Sequence, residues 1–183
     1  MSGGDFRIGV LGSGNGSNGE AIFEACALGR IPGRVVLVLT DVTDAFIKER
    51  ARRRGIETRF IGPSRFKTKL EPELEEQAAR MLRDAGVQLV ALAGYMRVVK
   101  SPLLRPFAGR MLNVHPSLLP AFPGLRAWEQ ALKAGAKVTG CTVHFVEEGV
   151  DSGPIILQRG ESHVVEVGGV QRQAVAEREF CQL

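Results

Sequence analysis

The chain alternates short apolar runs with amphipathic stretches, and glycines punctuate the joins. Arg7 to Leu11 is a compact apolar run that reads as a buried strand, followed by a glycine-rich loop over Gly12 to Asn18. A helical pattern runs from Gly19 to Leu28 and closes at Gly29. Val35 to Leu39, rich in β-branched residues, predicts a second strand, Asp44 to Arg54 a helix ended by Gly55, and Glu57 to Ile61 a short strand. Glu71 to Asp84 predicts a polar helix that stops before Gly86, and Gln88 to Ala93 a further buried strand stopped by Gly94. Glycine just past a helical pattern is a stop signal, because it enters the left-handed conformation without a steric penalty. Ser101 is placed to cap a short helix carrying Pro102 at its first position. Arg110 to Val114 predicts a strand, Trp128 to Ala134 a helix, Val138 to Val146 and Ile155 to Arg159 two more strands, and Gly168 to Phe180 a last helix.

Strand and helix alternate through the first 115 residues, which predicts an α/β fold: an open, mostly parallel twisted sheet with helices on both faces. Leu89 to Ala93 is apolar without alternation, as a strand covered on both faces should be. Ligands of such sheets bind beyond the carboxyl ends of the strands. Three segments fall at such ends: Gly12–Asn18, Gly94–Val99 and Asn113–His115.

Composition narrows the picture. At 183 residues a single domain over 1–183 is expected, and 44% hydrophobic with 24% charged residues is ordinary for a soluble globular protein. A net charge of +4 suits anionic small ligands. No stripe of basic residues interleaved with aromatics points to nucleic acid, and Lys48 to Arg54 reads as the solvated face of a helix. No apolar stretch is long enough for a membrane span. The three cysteines have neither metal-ligand spacing nor an even-numbered disulfide framework, so reduced thiols, a cytoplasmic location and no metal are expected.

The candidate chemistry centres on Asn113-Val114-His115. In a strand, side chains alternate, so Asn113 and His115 share a face roughly 6.5 to 7 Å apart. Pro116 and Pro120 stiffen the turn that follows. Far downstream Asp151 stands in the glycine-flanked loop Gly149–Gly153. An amide, an imidazole and a carboxylate are the parts needed to hold an oxyanion and orient a base. Spacing does not decide whether Asp151 meets His115; that contact is the central expectation. Gly12-Ser13-Gly14-Asn15-Gly16-Ser17-Asn18 lacks the third glycine of a dinucleotide fingerprint and the Lys-Ser/Thr of a Walker loop. A phosphate held by loop N–H groups at a helix start is what remains.

Six segments together resemble the glycinamide ribonucleotide transformylase family of folate-dependent formyltransferases: S-G-N-G-S-N at 13–18, L-A-G-Y-M-R at 92–97, N-V-H-P-S-L-L-P at 113–120, F-P-G-L at 122–125, T-V-H-F-V at 142–146 and D-S-G-P-I-I at 151–156. The resemblance implies a Rossmann-like formyltransferase fold. It also implies transfer of the formyl group of 10-formyltetrahydrofolate to the amine of glycinamide ribonucleotide in purine biosynthesis. These two small molecules are the implied partners, the folate acts as co-substrate, and the protein is a monomer or homodimer. It assigns catalysis to Asn113, His115 and Asp151, and the substrate phosphate to Gly16, Ser17 and Asn18. Folate binding falls to Lys69, Met96, Arg97, Val98, Val99 and Asn113. His144 reads as a hydrogen-bonded or structural residue of its strand. Beyond Gln158 the resemblance fades, leaving a divergent or shortened segment from about 159, in which Glu177 and Glu179 are candidates to hold the substrate amine. Two alternatives share the same residues: a 10-formyltetrahydrofolate hydrolase, and a catalytically weak folate- and phosphate-binding homologue.

Overall fold

The structure, a computed structural model, describes residues 6–162. The expected helix over 168–180, with Glu177 and Glu179, and His163 and Cys181 lie outside the described residues. Seven strands form one sheet: β1 Arg7–Leu11, β2 Arg34–Thr40, β3 Glu57–Phe60, β4 Leu89–Leu92, β5 Met111–His115, β6 Val138–Phe145 and β7 Ile155–Ser162. Their order is β3-β2-β1-β4-β5-β6-β7. The strands from β3 to β5 pair in parallel, and β6 and β7 extend the sheet antiparallel. Five helices connect them: α1 Ser17–Ala27, α2 Ile47–Arg53, α3 Pro72–Asp84, α4 Ser101–Leu104 and α5 Ala127–Lys133. The open, mostly parallel sheet with helices on both faces is the architecture expected from the alternation of patterns.

Both faces of the central strands are buried, which explains their uninterrupted apolar runs. On one face Ile8 and Val10 of β1 and Val38 of β2 pack with Phe23 of α1 and Ile47 and Ala51 of α2. On the other, Leu11, Leu37, Leu39 and Val90 pack with Ala78, Ala79 and Leu82 of α3 and Leu103 of α4. The β1–β2 register slips between Ile8 and Gly9. That slip leaves Val36 as an extra residue, and it lets Val35 and Val38 face one core while Leu37 and Leu39 face the other.

Several boundaries shift by a residue or two, and three differences have a clear local reason. α2 starts at Ile47, not Asp44, because the preceding residues make a turn in which Ala45 N–H donates to Val42 O at 3.3 Å. That turn buries Ala45 and Ile47 and commits the Ile47 N–H to Gly14 O at 3.1 Å. Ser101 is the first residue of α4 rather than its cap; Lys100 holds the cap position without a side-chain hydrogen bond. β7 runs on to Ser162 because β6 pairs with it along its whole length.

Candidate active site

The sheet order reverses between β1 and β4, so the loops leaving these two neighbours diverge and open a crevice between them. The loops remain tied at their roots: Ser13 N–H donates to Gly94 O at 3.1 Å. The glycine-rich loop is held from outside by α2. Arg50 donates through Nε to Asn15 O at 2.8 Å and through Nη2 to Asn15 Oδ1 at 3.0 Å. The basic run is thus largely paired, with Arg52 and Arg53 on Glu49 and Arg54 on Glu20. Gly16 caps α1 in the left-handed conformation at φ 74°. A Cβ there would stand 2.5 Å from Ile47 Cβ, so close packing as well as backbone conformation demands glycine. Gly16, Ser17 and Asn18 therefore sit at the start of an eleven-residue helix, where the first-turn N–H groups and helix dipole favour an anion.

Across the crevice, residues 93–100 follow β4. Met96 is exposed, Val98 is half-buried with its N–H given to Thr68 O at 2.8 Å, and Val99 is buried in the core beside Leu103. Arg97 does not reach outward. Its Nε donates to Asp41 Oδ2, and its Nη1 donates to Phe66 O and, at 3.0 Å, to Lys69 O. The Lys69 side chain is exposed, with Nζ 4.8 Å from the Phe66 ring centroid. Of the residues read as a folate surface, Met96 and Lys69 thus present side chains to solvent, while Val99 and the Arg97 guanidinium are engaged within the chain.

Asn113 pairs in register with Leu92, the last residue of β4, so Asn113 and His115 stand beside the departing 93–100 segment. Both meet Asp151. Asn113 Nδ2 donates to Asp151 Oδ1 at 3.3 Å, and His115 Nδ1 lies 3.2 Å from Oδ2. Gly124 N–H donates to Oδ2 at 2.8 Å, fixing the carboxylate from the turn that follows β5. His115 Nε2 faces Phe122 O at 2.9 Å, so both ring nitrogens face oxygen acceptors. Asp151 adopts φ 49°, and Phe122, whose carbonyl His115 faces, adopts φ 55°, so two non-glycine residues in the left-handed region stand at this contact.

His144 joins the group. It lies directly opposite Asn113 in the β5–β6 ladder, with Nε2 3.2 Å from Asn113 Nδ2 and 3.5 Å from Asp151 Oδ1. Its Nδ1 donates to Phe145 O at 2.8 Å. Burial alone pushes the imidazole down, but the Asp151 carboxylate and the Phe145 carbonyl outweigh it and hold His144 above the ordinary histidine range. Burial likewise pushes Asp151 up. The bond from His144, the Gly124 N–H and the charge of His115 overcome it, holding the carboxyl below the ordinary range.

Two residues of this region carried no signal of their own. Asp41 follows β2 as one polar residue after an apolar run, yet it is buried against Ser13 and Arg97. His144 reads as a structural strand residue; its strand partner Asn113 is what brings it to Asp151.

Comparison with known proteins places the chain among relatives. The family profile described as Formyl transferase matches residues 6–168. The trifunctional purine biosynthetic protein adenosine-3 of Drosophila melanogaster is 44% identical over 154 residues, covering 83% of this chain and 11% of that protein. The phosphoribosylglycinamide formyltransferase of Escherichia coli (strain K12) is also 44% identical over 154 residues, covering 83% of this chain and 71% of the relative. The solved glycinamide ribonucleotide transformylase 1 of Symbiobacterium toebii superposes with a TM-score of 0.83 at 52% identity, covering 87% of this chain and 74% of that one. The chain thus spans about a tenth of the trifunctional relative and most of the single-activity ones.

Proposed function

The chain belongs to the formyl transferase family, and from that premise we propose that it transfers the formyl group of 10-formyltetrahydrofolate to the primary amine of glycinamide ribonucleotide. The observation that carries this reading is the convergence of Asn113, His115 and Asp151 beside the crevice between the loops after β1 and β4. The relatives, a phosphoribosylglycinamide formyltransferase and a glycinamide ribonucleotide transformylase, support the same acceptor.

The reaction is an acyl transfer. The amine nitrogen bonds to the formyl carbon, the carbon–N10 bond of the folate breaks, and one proton moves from the amine to N10. In between stands a tetrahedral centre with an anionic oxygen. Asn113 Nδ2 turns from Asp151 to that oxygen, and a single such donor is worth about 10² to 10³ in rate. His115 carries the proton on Nε2, which turns from Phe122 O to the reacting nitrogens. Asp151 orients it through Nδ1 and stabilises the charged ring, and Gly124 N–H keeps Asp151 in place. The N-formyl group is already activated, so no covalent enzyme intermediate or metal is required. Gly16, Ser17 and Asn18 receive the ribonucleotide phosphate at the start of α1. The folate lies along residues 96–99, on the Met96 side chain and the backbone, with Lys69 free to swing from Phe66 towards the glutamate carboxylates. In this reading the substrates are small molecules, the protein works in the cytoplasm as a monomer or homodimer, and one domain carries the whole site.

The test is formyl transfer by the purified 183-residue chain, followed by the absorbance of the deformylated folate with and without glycinamide ribonucleotide. Ribonucleotide-dependent turnover is expected. Turnover independent of the ribonucleotide would assign the hydrolase instead, and folate binding without any turnover would leave a binding protein.

A further inference from the structure

Asp41 stands outside the catalytic group, but its carboxylate joins the two sides of the crevice. Its side chain is 3% exposed and that of Arg97 12%. Asp41 Oδ1 accepts from Ser13 Oγ at 2.6 Å, and Ser13 Oγ in turn accepts from Met96 N–H at 2.9 Å. Oδ2 accepts from Arg97 Nε. Arg97 then reaches the carbonyls of Phe66 and Lys69, which fixes the β3–α3 connection. Two arms therefore leave one buried carboxylate. The Ser13 arm holds the root of the glycine-rich loop and the backbone of Met96. The Arg97 arm holds the 94–99 segment and the loop that carries Lys69.

We propose that Asp41 is a positioning residue that couples the phosphate loop to the folate segment, so that ordering either side by its ligand favours binding on the other. The coupling rests on the functional reading above, because it needs both sides to be ligand sites. Its physical basis is a shared ordering cost. A loop that must be fixed on binding lowers apparent affinity, and a first ligand that fixes the common carboxylate removes that penalty for the second. The Ser13 hydroxyl donates to Asp41 and accepts from Met96 at the same time, so a shift of the carboxylate is passed to the loop root and to the folate segment through one side chain. Coupling between sites is reciprocal: the factor by which one ligand tightens the other is the same in both directions.

Asp41→Asn separates the arms. The amide keeps one oxygen for Ser13 but turns an N–H₂ toward Arg97 Nε, setting donor against donor. Ser13→Ala cuts the other arm and leaves the ion pair. The experiment measures the affinity of the intact chain for 5-formyltetrahydrofolate, a stable folate, alone and with saturating ribose 5-phosphate, and then in the reverse order. Wild type should show mutual tightening of about five-fold or more, within the usual range of site coupling. Both variants should bring that factor close to one. D41N should also raise the KM for the folate about ten-fold with kcat nearly unchanged, a split that simple loss of folded protein does not produce. Equal affinities with and without the second ligand in wild type would overturn the proposal, as would coupling that survives in both variants. A wild-type chain that binds neither probe would remove the functional reading itself, which separates that failure from failure of the coupling. If D41N is too unstable to assay, S13A alone decides between the outcomes.

Discussion

Asp151 is where the charges of the site converge, and its titration should be visible in stability. Its carboxyl is held below its ordinary value of 3.8, so it contributes stability above that pH, and the contribution is lost as pH falls through the lower folded-state value. His144 is held above its ordinary 6.5, so its contribution is complete below that pH and is lost as pH rises through the higher folded-state value. The two overlap between about pH 4 and 6.5. Asp151→Asn removes the carboxylate from both accounts while tolerating φ 49°, since asparagine also enters the left-handed region readily. The variant should be less stable by about 1–3 kcal/mol in that window, the scale of one buried acceptor lost from charged donors. The gap should narrow on either side, which urea midpoints at pH 3, 5.5 and 8 would reveal. A gap that does not vary with pH would mean that Asp151 is not electrostatically tied to His144 and His115. The same substitution should depress kcat, and His115→Ala should abolish transfer with folding intact. Substantial residual activity in H115A would make His115 a structural residue.

The loop from β1 into α1 shows how much of an element's role lies in what it packs against. Gly16 is pinned by its own conformation and by Ile47 at the start of α2, and Arg50 of the same helix holds Asn15. Gly16→Ala should therefore displace the α1 N-terminus rather than merely stiffen it. We expect a loss of about 1 kcal/mol or more from the left-handed conformation alone, and at least ten-fold weaker binding of ribose 5-phosphate by calorimetry. Binding unchanged in G16A would place the phosphate elsewhere. Much of this element was legible in the sequence: three glycines between an apolar run and a helical pattern mark the turn from β1 into α1. The support by α2 was not, because the turn that delays α2 to Ile47 depends on burying Ala45 and Ile47 in a core that only the assembled sheet supplies. Arg97 shows the same limit. Its position after a strand reads as a ligand contact, but its guanidinium turns to Asp41, one polar residue after β2 that belongs to no motif. Periodicity reports which face a residue takes and is silent about a partner that another strand brings within reach.

At the scale of the whole molecule, the site depends on a change of direction in the sheet. Asn113 and His115 were legible as neighbours because a strand repeats every two residues; Asp151, 36 positions beyond His115, was not. β6 runs antiparallel to β5, and Val146 N–H donates to Met111 O at 2.9 Å, so the β6–β7 loop departs from the end of β5 opposite His115. It delivers Asp151 by doubling back over the strands, and Gly153 permits this: a Cβ there would stand 1.9 Å from Phe145 O. Loops from two ends of the sheet thus flank the site: the glycine-rich loop and residues 94–99, tied through Ser13 and Gly94, on one side, and the returning loop at Asn113 and His115 on the other. Hydrogen exchange on the intact chain tests that geometry. Ribose 5-phosphate and 5-formyltetrahydrofolate together should slow exchange in 12–18, 94–99 and 146–154. The connections that enter β2, β4 and β5 at the opposite edge, 29–33, 85–88 and 108–110, should be unaffected. The returning loop carries the discrimination. If ligands bound merely to the carboxyl edge of a parallel sheet, 146–154 would exchange as in the free protein. Its protection, together with that of the two crevice loops, is expected only if Asp151 closes the site over Asn113 and His115 from the far side.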